Sequence, residues 1–135
     1  MGPTYYNTFI EVAEDCPAVM AEIPQARDRT KTRAMLEYEL IAVHPYEYTG
    51  EDIAFLVHAI YNEIPQEQWK AERIKFFSKG QPCLRASALG KRYGWGTHHD
   101  ENGRVALVPM ESKDYKKFAG DPAMKHTRAM RSKRV

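Results

Sequence analysis

The chain has 135 residues, 43% apolar and 28% charged, enough for one hydrophobic core and too balanced for a disordered, collagen-like or disulfide-dense class. Length argues a single domain over 1–135, and no run of 18 apolar residues occurs, so no helical membrane span is expected. Met1–Tyr6 lacks the basic-then-apolar pattern of a secretory signal, which points to the cytoplasm and to two free thiols, Cys16 and Cys83.

In chain order, residues 4–13 are rich in aromatic and β-branched side chains and predict a strand. Residues 17–30 show no period and read as a long loop. Leu36, Leu40 and Val43 share a helical face within 31–43, with Thr30 or Thr32 as cap, and His44-Pro45 stops that helix. Thr49 with Asp52 resembles a capping box, and Ile53, Leu56, Val57 and Ile60 follow at helical spacing over 50–63. His58 falls off that apolar face and is expected to be exposed.

Pro65 suits a first helical turn, and Trp69, Arg73, Phe76 and Phe77 continue a third helix over 66–78 before Gly80 and Pro82. Strand character returns at 82–87, 92–99 and 105–110. Ser112 caps a short helix carrying Tyr115 and Phe118, Asp121-Pro122 predicts a last helix to Met130, and 131–135 form a basic, mobile tail. The fold class is therefore α+β: a small antiparallel sheet with a central hairpin, 92–99 with 105–110, packed against three or more helices, those at 31–43, 50–63 and 66–78 on one face.

Asp100-Glu101-Asn102-Gly103 connects the hairpin, either as a type I turn with a glycine bulge, which sets Asp100 opposite Arg104, or as a two-residue Asn102-Gly103 turn. In either register Trp95, Thr97 and His99 share one face and Gly94, Gly96 and His98 the other. Glycines there mark a close approach, by a ligand or by a helix packed over them.

Charge is uneven: residues 1–78 hold 7 basic and 13 acidic side chains, residues 79–135 hold 13 and 5. Either the basic half forms a patch, or the halves pack together and neutralise each other. Between Glu72 and Asp100 there is no acidic residue at all. Arg85, Lys91 and Arg92, with Tyr93 and Trp95 as stacking surface, are thus the candidate site for a small anionic ligand or nucleotide. Their competitor is ordinary ion pairing with Glu37, Glu39, Glu47 or Glu51. Nucleic acid is not implied by a net charge of +2.

A second reading, from another class, is a thiol-dependent enzyme. Pairing 82–87 with 92–99 would set Cys83, the nucleophile, near Thr97 or His98, the base; the alternative is a buried cysteine acting as a small hydrophobe. A third is a homodimer formed along the hairpin edge. Adjacent strand histidines such as His98-His99 point to opposite faces, so no metal is expected, and no cofactor motif is present: Gly90-Lys91-Arg92 is not a P-loop and Gly94-x-Gly96 is not a dinucleotide fingerprint.

The blocks Asn7–Pro17, Tyr38–Ala42 with His44–Thr49, Phe76–Trp95 and Met130–Arg134 resemble a family of short, single-domain bacterial and fungal proteins of unknown function. That resemblance spans essentially the whole chain and implies a stand-alone domain. It implies no activity, substrate or catalytic residue.

Overall fold

A computed structural model describes residues 4–26 and 30–133. Four strands, β1 (Thr8–Glu11), β2 (Trp95–His99), β3 (Val105–Pro109) and β4 (Lys125–Arg128), form one open sheet in the order β3-β2-β1-β4. Five helices accompany it: α1 (Arg33–Val43), α2 (Gly50–Tyr61), α3 (Trp69–Phe77), α4 (Ala88–Lys91) and α5 (Lys113–Ala119). The architecture is α+β. None of the described helices is long and apolar enough to cross a membrane.

The hairpin forms with the glycine-bulge turn. Gly103 sits at φ +79° and donates to the Asp100 carbonyl at 3.0 Å, while Asp100 N–H donates to the Arg104 carbonyl. The Asp100 carboxylate accepts from the amides of Asn102 and Arg104, at 2.9 Å each. Asp100 therefore holds the turn by its backbone rather than by the guanidinium of Arg104. Partner register runs from Trp95↔Pro109 to His99↔Val105. At Val105 the outward side of β3 is engaged, exchanging bonds with Tyr46 and Tyr48, and the strand ends in Pro109, which has no donor.

Two expected elements are absent. Residues 82–87 are not a strand: Leu84–Ala86 make a 3₁₀ turn, and Ser87 then caps α4 by accepting from Leu89 N–H at 3.1 Å. Both sides of β2 are taken by β1 and β3, so no lateral position was open to it. Residues 121–130 are not a helix either. The Asp121 side chain accepts from Ala123 N–H, turning the chain, and β4 then runs parallel to β1, making the sheet mixed. The predicted cap residues thus start a turn that delivers the partner β1 needs.

Helices α1 and α2 cover one face of the sheet, with α3 packed against α2, and α5 covers the other face. Ile10, Trp95, Leu107 and Val105 face Leu36, Ile41, Ile53, Val57, Leu84 and Leu89, which form the main core. On the other face Phe9 meets Tyr115 and Phe118 of α5, at ring distances of 5.0 and 5.6 Å, and His98 stacks on Phe118 at 4.2 Å. Gly96 lies beneath this layer, so its missing side chain serves helix packing. Val43, expected on the buried face of α1, is 69% exposed, and Ile60 of α2 is 40% exposed. Phe55 and Ala59 are buried in α2 instead, because α3 covers a second side of that helix.

Cys16 and Cys83 are both free, as expected. At the chain's end, Arg131 pairs with Glu14 at 3.3 Å, and the amides of Ser132 and Lys133 donate to Asp15. The rest of the expected tail, 134–135, and residues 27–29 of the expected loop lie outside the described residues.

An added Cβ at Gly96 would stand 2.8 Å from the Tyr115 ring, 3.0 Å from Phe9 and 3.2 Å from the Ile10 carbonyl. Gly96→Ala is therefore expected to destabilise by about 1–3 kcal/mol in urea denaturation. Gly80→Ala, with nothing within 4 Å of the new carbon, should stay within about 0.5 kcal/mol of the parent. Equal effects at the two positions would contradict the packing of α5 over β2.

Candidate functional site

Helical spacing brings three sets of side chains to one recess. From α1 come Arg33, Ala34 and Glu37; from α2 come Ala54, Val57 and His58; from α3 and its end come Glu72, Lys75, Phe76 and Lys79. Each set repeats at three or four residues, so it occupies a single face of its helix. The fourth wall is the irregular segment Gln81–Ala88, contributing Pro82, Cys83, Ala86 and Ser87. Together they enclose a cavity of about 610 Å³. A smaller space of about 30 Å³ adjoins it, shared by Glu37, Ala54, Pro82 and Cys83. That is room for a water molecule.

α3 has no fully buried residue and is held by its side chains. Arg73 donates to Asp52 at 2.9 Å, Trp69 Nε1 donates to the Ile64 carbonyl, and Phe76 stacks on His58 at 4.5 Å. Asp52 also accepts from Thr49 N–H in the capping box of α2. Burial alone would raise the Asp52 carboxyl, but the bonds from Thr49 and Arg73 hold it below the usual range. One carboxylate thereby joins the start of α2 to α3. His58, expected to be exposed, is half-buried between these helices, because its ring completes the contact with Phe76.

Glu37 is the distinctive group of the recess. Ser87 Oγ accepts from Leu89 N–H and donates to Glu37 Oε1 at 2.9 Å. Among the described residues no other bond reaches that carboxyl, and Arg33 acts from beyond ion-pair distance, its guanidinium lying 4.4 Å over the Tyr61 ring. Withdrawal from water pushes the Glu37 carboxyl up to about 7, against the opposing pull of Ser87 and Arg33. Cys83 Sγ lies 3.0 Å from Tyr5 Oη. Burial, and then the bond to Cys83, push the Tyr5 phenol up to about 12, so it keeps its proton at ordinary pH.

The residues selected from the sequence scatter. Arg85 Nε donates to the Arg128 carbonyl at 2.7 Å, and its own carbonyl accepts from Met130 N–H, so it binds the outer side of β4. Lys91 ends α4, and Arg92 is exposed beyond it. The Tyr93 carbonyl accepts from Glu22 N–H, Trp95 Nε1 donates to the Glu22 carbonyl, and the Trp95 ring packs 5.4 Å from Tyr38. None of these five lines the cavity. Among the described residues no carboxylate of the acidic half pairs with these cations either: Glu39 pairs with Lys31, Glu47 with His44, and Glu37 bonds Ser87.

Cys83 and His98 are also separate. Without a strand at 82–87 the pairing that would join them is missing, and Cys83 bonds Tyr5 while His98 bonds Tyr46 Oη at 2.7 Å on the α5 face. His98 and His99 do point to opposite faces. His99 is fully buried, bonds Thr97, and is pushed down to about 3 by desolvation, with Nδ1 left unpartnered.

The chain belongs to a family of unknown function (DUF6157), whose model matches residues 2–135. No curated protein and no solved structure matches it.

Because Glu37 holds its proton more tightly folded, near 7, than at its ordinary 4.5, the stability it contributes is full below about 4.5 and is lost as pH rises through about 7. Above that range an ionised, desolvated carboxylate remains. Glu37→Gln keeps the shape and removes the charge, so at pH 8 it should be more stable than the parent by on the order of 2–3 kcal/mol. At pH 5 the difference should fall below about 1 kcal/mol. Urea titrations at both pH values decide this; an equal difference at the two would place the carboxyl in water.

Proposed function

We propose that the protein binds a small organic anion with an apolar body, and that it does so in the cavity between α1, α2, α3 and Gln81–Ala88 rather than along Arg85–Trp95. The cavity itself carries this reading. At about 610 Å³ it falls within the range of small-molecule sites. Val57, Phe76, Pro82 and Ala86 offer apolar surface, and Lys75 and Lys79 stand four residues apart without an ion pair among the described residues. Lys75 lies on α3 and Lys79 just past its end, and both line the cavity, so an anion held there would meet two positive charges.

A thiol-dependent activity is the second reading, favoured by one observation: Cys83 lines the same cavity with its sulfur against the Tyr5 hydroxyl. In that case the acid-base group within the recess is Glu37, not His98.

Fluorescence titration with 1-anilinonaphthalene-8-sulfonate, an organic anion with an apolar body, tests the first reading. Saturable one-to-one binding is expected. The double variant Lys75→Glu, Lys79→Glu should weaken it by about tenfold, equivalent to about 1.4 kcal/mol. Arg85→Glu with Arg92→Glu should leave it unchanged. The opposite pattern would return the site to the basic segment, and absence of binding would remove it altogether.

A further inference from the structure

We propose that the ligand is a small organic carboxylate taken up together with one proton, the proton sitting on Glu37 and shared with the bound carboxylate. This rests on the cavity being the ligand site. The hydrogen-bond geometry carries it. The amide of Leu89 already donates to Ser87 Oγ, so the serine's own proton is directed to Glu37 Oε1. Oε1 is thereby fixed as an acceptor. Oε2 has no partner among the described residues, and it is not sealed from solvent, since the one buried and unpartnered side-chain atom there is His99 Nδ1. It is the oxygen left to meet a ligand.

An ionised Glu37 would offer an incoming carboxylate nothing but repulsion. A neutral one offers a donor, and a carboxyl–carboxylate bond is charge-assisted, hence shorter and stronger than one between neutral groups. The two acids can then share one proton, as paired carboxyl groups do when both cannot ionise. Burial has already moved Glu37 toward the neutral form near pH 7. The other charged or titratable groups around the cavity are Arg33 on α1, His58 on α2, Glu72, Lys75 and Lys79 from α3 and its end, and Cys83 opposite. Of these, Lys75, Lys79 and Arg33 attract the anion at every pH below their own deprotonation, and Glu72 opposes it. Among them His58 and Cys83 are the groups whose titration could imitate such a proton.

Octanoate is a suitable probe, with isothermal titration calorimetry as the measurement. In the parent protein, affinity should fall by roughly tenfold between pH 6 and pH 8, about fivefold of it between pH 7 and pH 8, and change little from pH 6 to pH 6.5. At pH 8, titration in two buffers of different ionisation enthalpy should show uptake of close to one proton per octanoate. Glu37→Gln should bind at pH 8 about as well as the parent at pH 6, without proton uptake. His58→Gln and Cys83→Ser should each keep the parent's pH dependence.

A parent whose octanoate affinity is flat from pH 6 to 8, or a Glu37→Gln variant that still takes up a proton, overturns the shared proton and leaves the cavity as an anion site. Loss of the pH dependence in His58→Gln or in Cys83→Ser assigns the proton to the imidazole or to the thiol and overturns it equally. If octanoate does not bind at any pH, the cavity reading and the shared proton both fall.

Discussion

The central place of β1 decides the rest of the fold. Thr8, Phe9 and Ile10 are all buried, because the strand is covered on both faces and paired on both edges. Odd and even positions therefore meet different partners: Ile10 belongs to the α1–α2 core, and Phe9 to the aromatic layer of α5. Its two neighbours lie far along the chain, β2 after the helices and β4 near the end. Such pairing is non-local and pays its loop-closure entropy before contacts repay it. The helical stretch from Arg33 to Phe77 needs no such closure, and it is the part whose local signals are strongest.

A second dependence runs through Ser87. Its hydroxyl caps α4 and holds Glu37, so one side chain fixes both the end of the irregular segment and the polar group of the cavity. An N-cap is worth about 1 kcal/mol. Keeping a carboxyl out of water works against folding once that carboxyl ionises, by an amount of the same order or larger. The structure thus tolerates a group that a purely structural serine cap does not require. Perturbed acids in clefts are enriched at functional sites for that reason, and here the acid shares its recess with the cavity's apolar wall.

The sequence shows the helices well and the site poorly. Thr49, Asp52 and the apolar spacing after them mark α2, and Asp100 with Gly103 marks the bulged turn, because those signals are local. The 82–87 segment was misleading: Pro82, Cys83 and Leu84 look extended, but the space beside β2 was already filled from elsewhere in the chain. β4 escaped detection because Lys125, His126, Thr127 and Arg128 do not alternate, and only the free side of β1 makes them a strand. Glu37 was visible as one of four acidic candidates for ion pairing and His58 as a residue off the apolar face. What could not be read was that both faces turn toward α3, since nothing in the spacing of one helix states which other helix it meets.

The charge asymmetry has a similarly local outcome. Cross-half ion pairs are confined, among the described residues, to Glu11 with Arg128 and Glu14 with Arg131 at one end of the sheet. The remaining pairs, Lys31–Glu39, His44–Glu47 and Arg73–Asp52, lie within the acidic half. The basic excess of the second half is therefore largely left in water, where salt screens it beyond roughly 8–10 Å. Arg33, Lys75 and Lys79 are exposed as well, so their pull on an anion is of the modest, salt-sensitive kind found at surfaces. Such charges draw anions in without choosing among them. Choice needs a group with fixed direction, and in this cavity the Glu37 carboxyl, oriented by Ser87, is such a group.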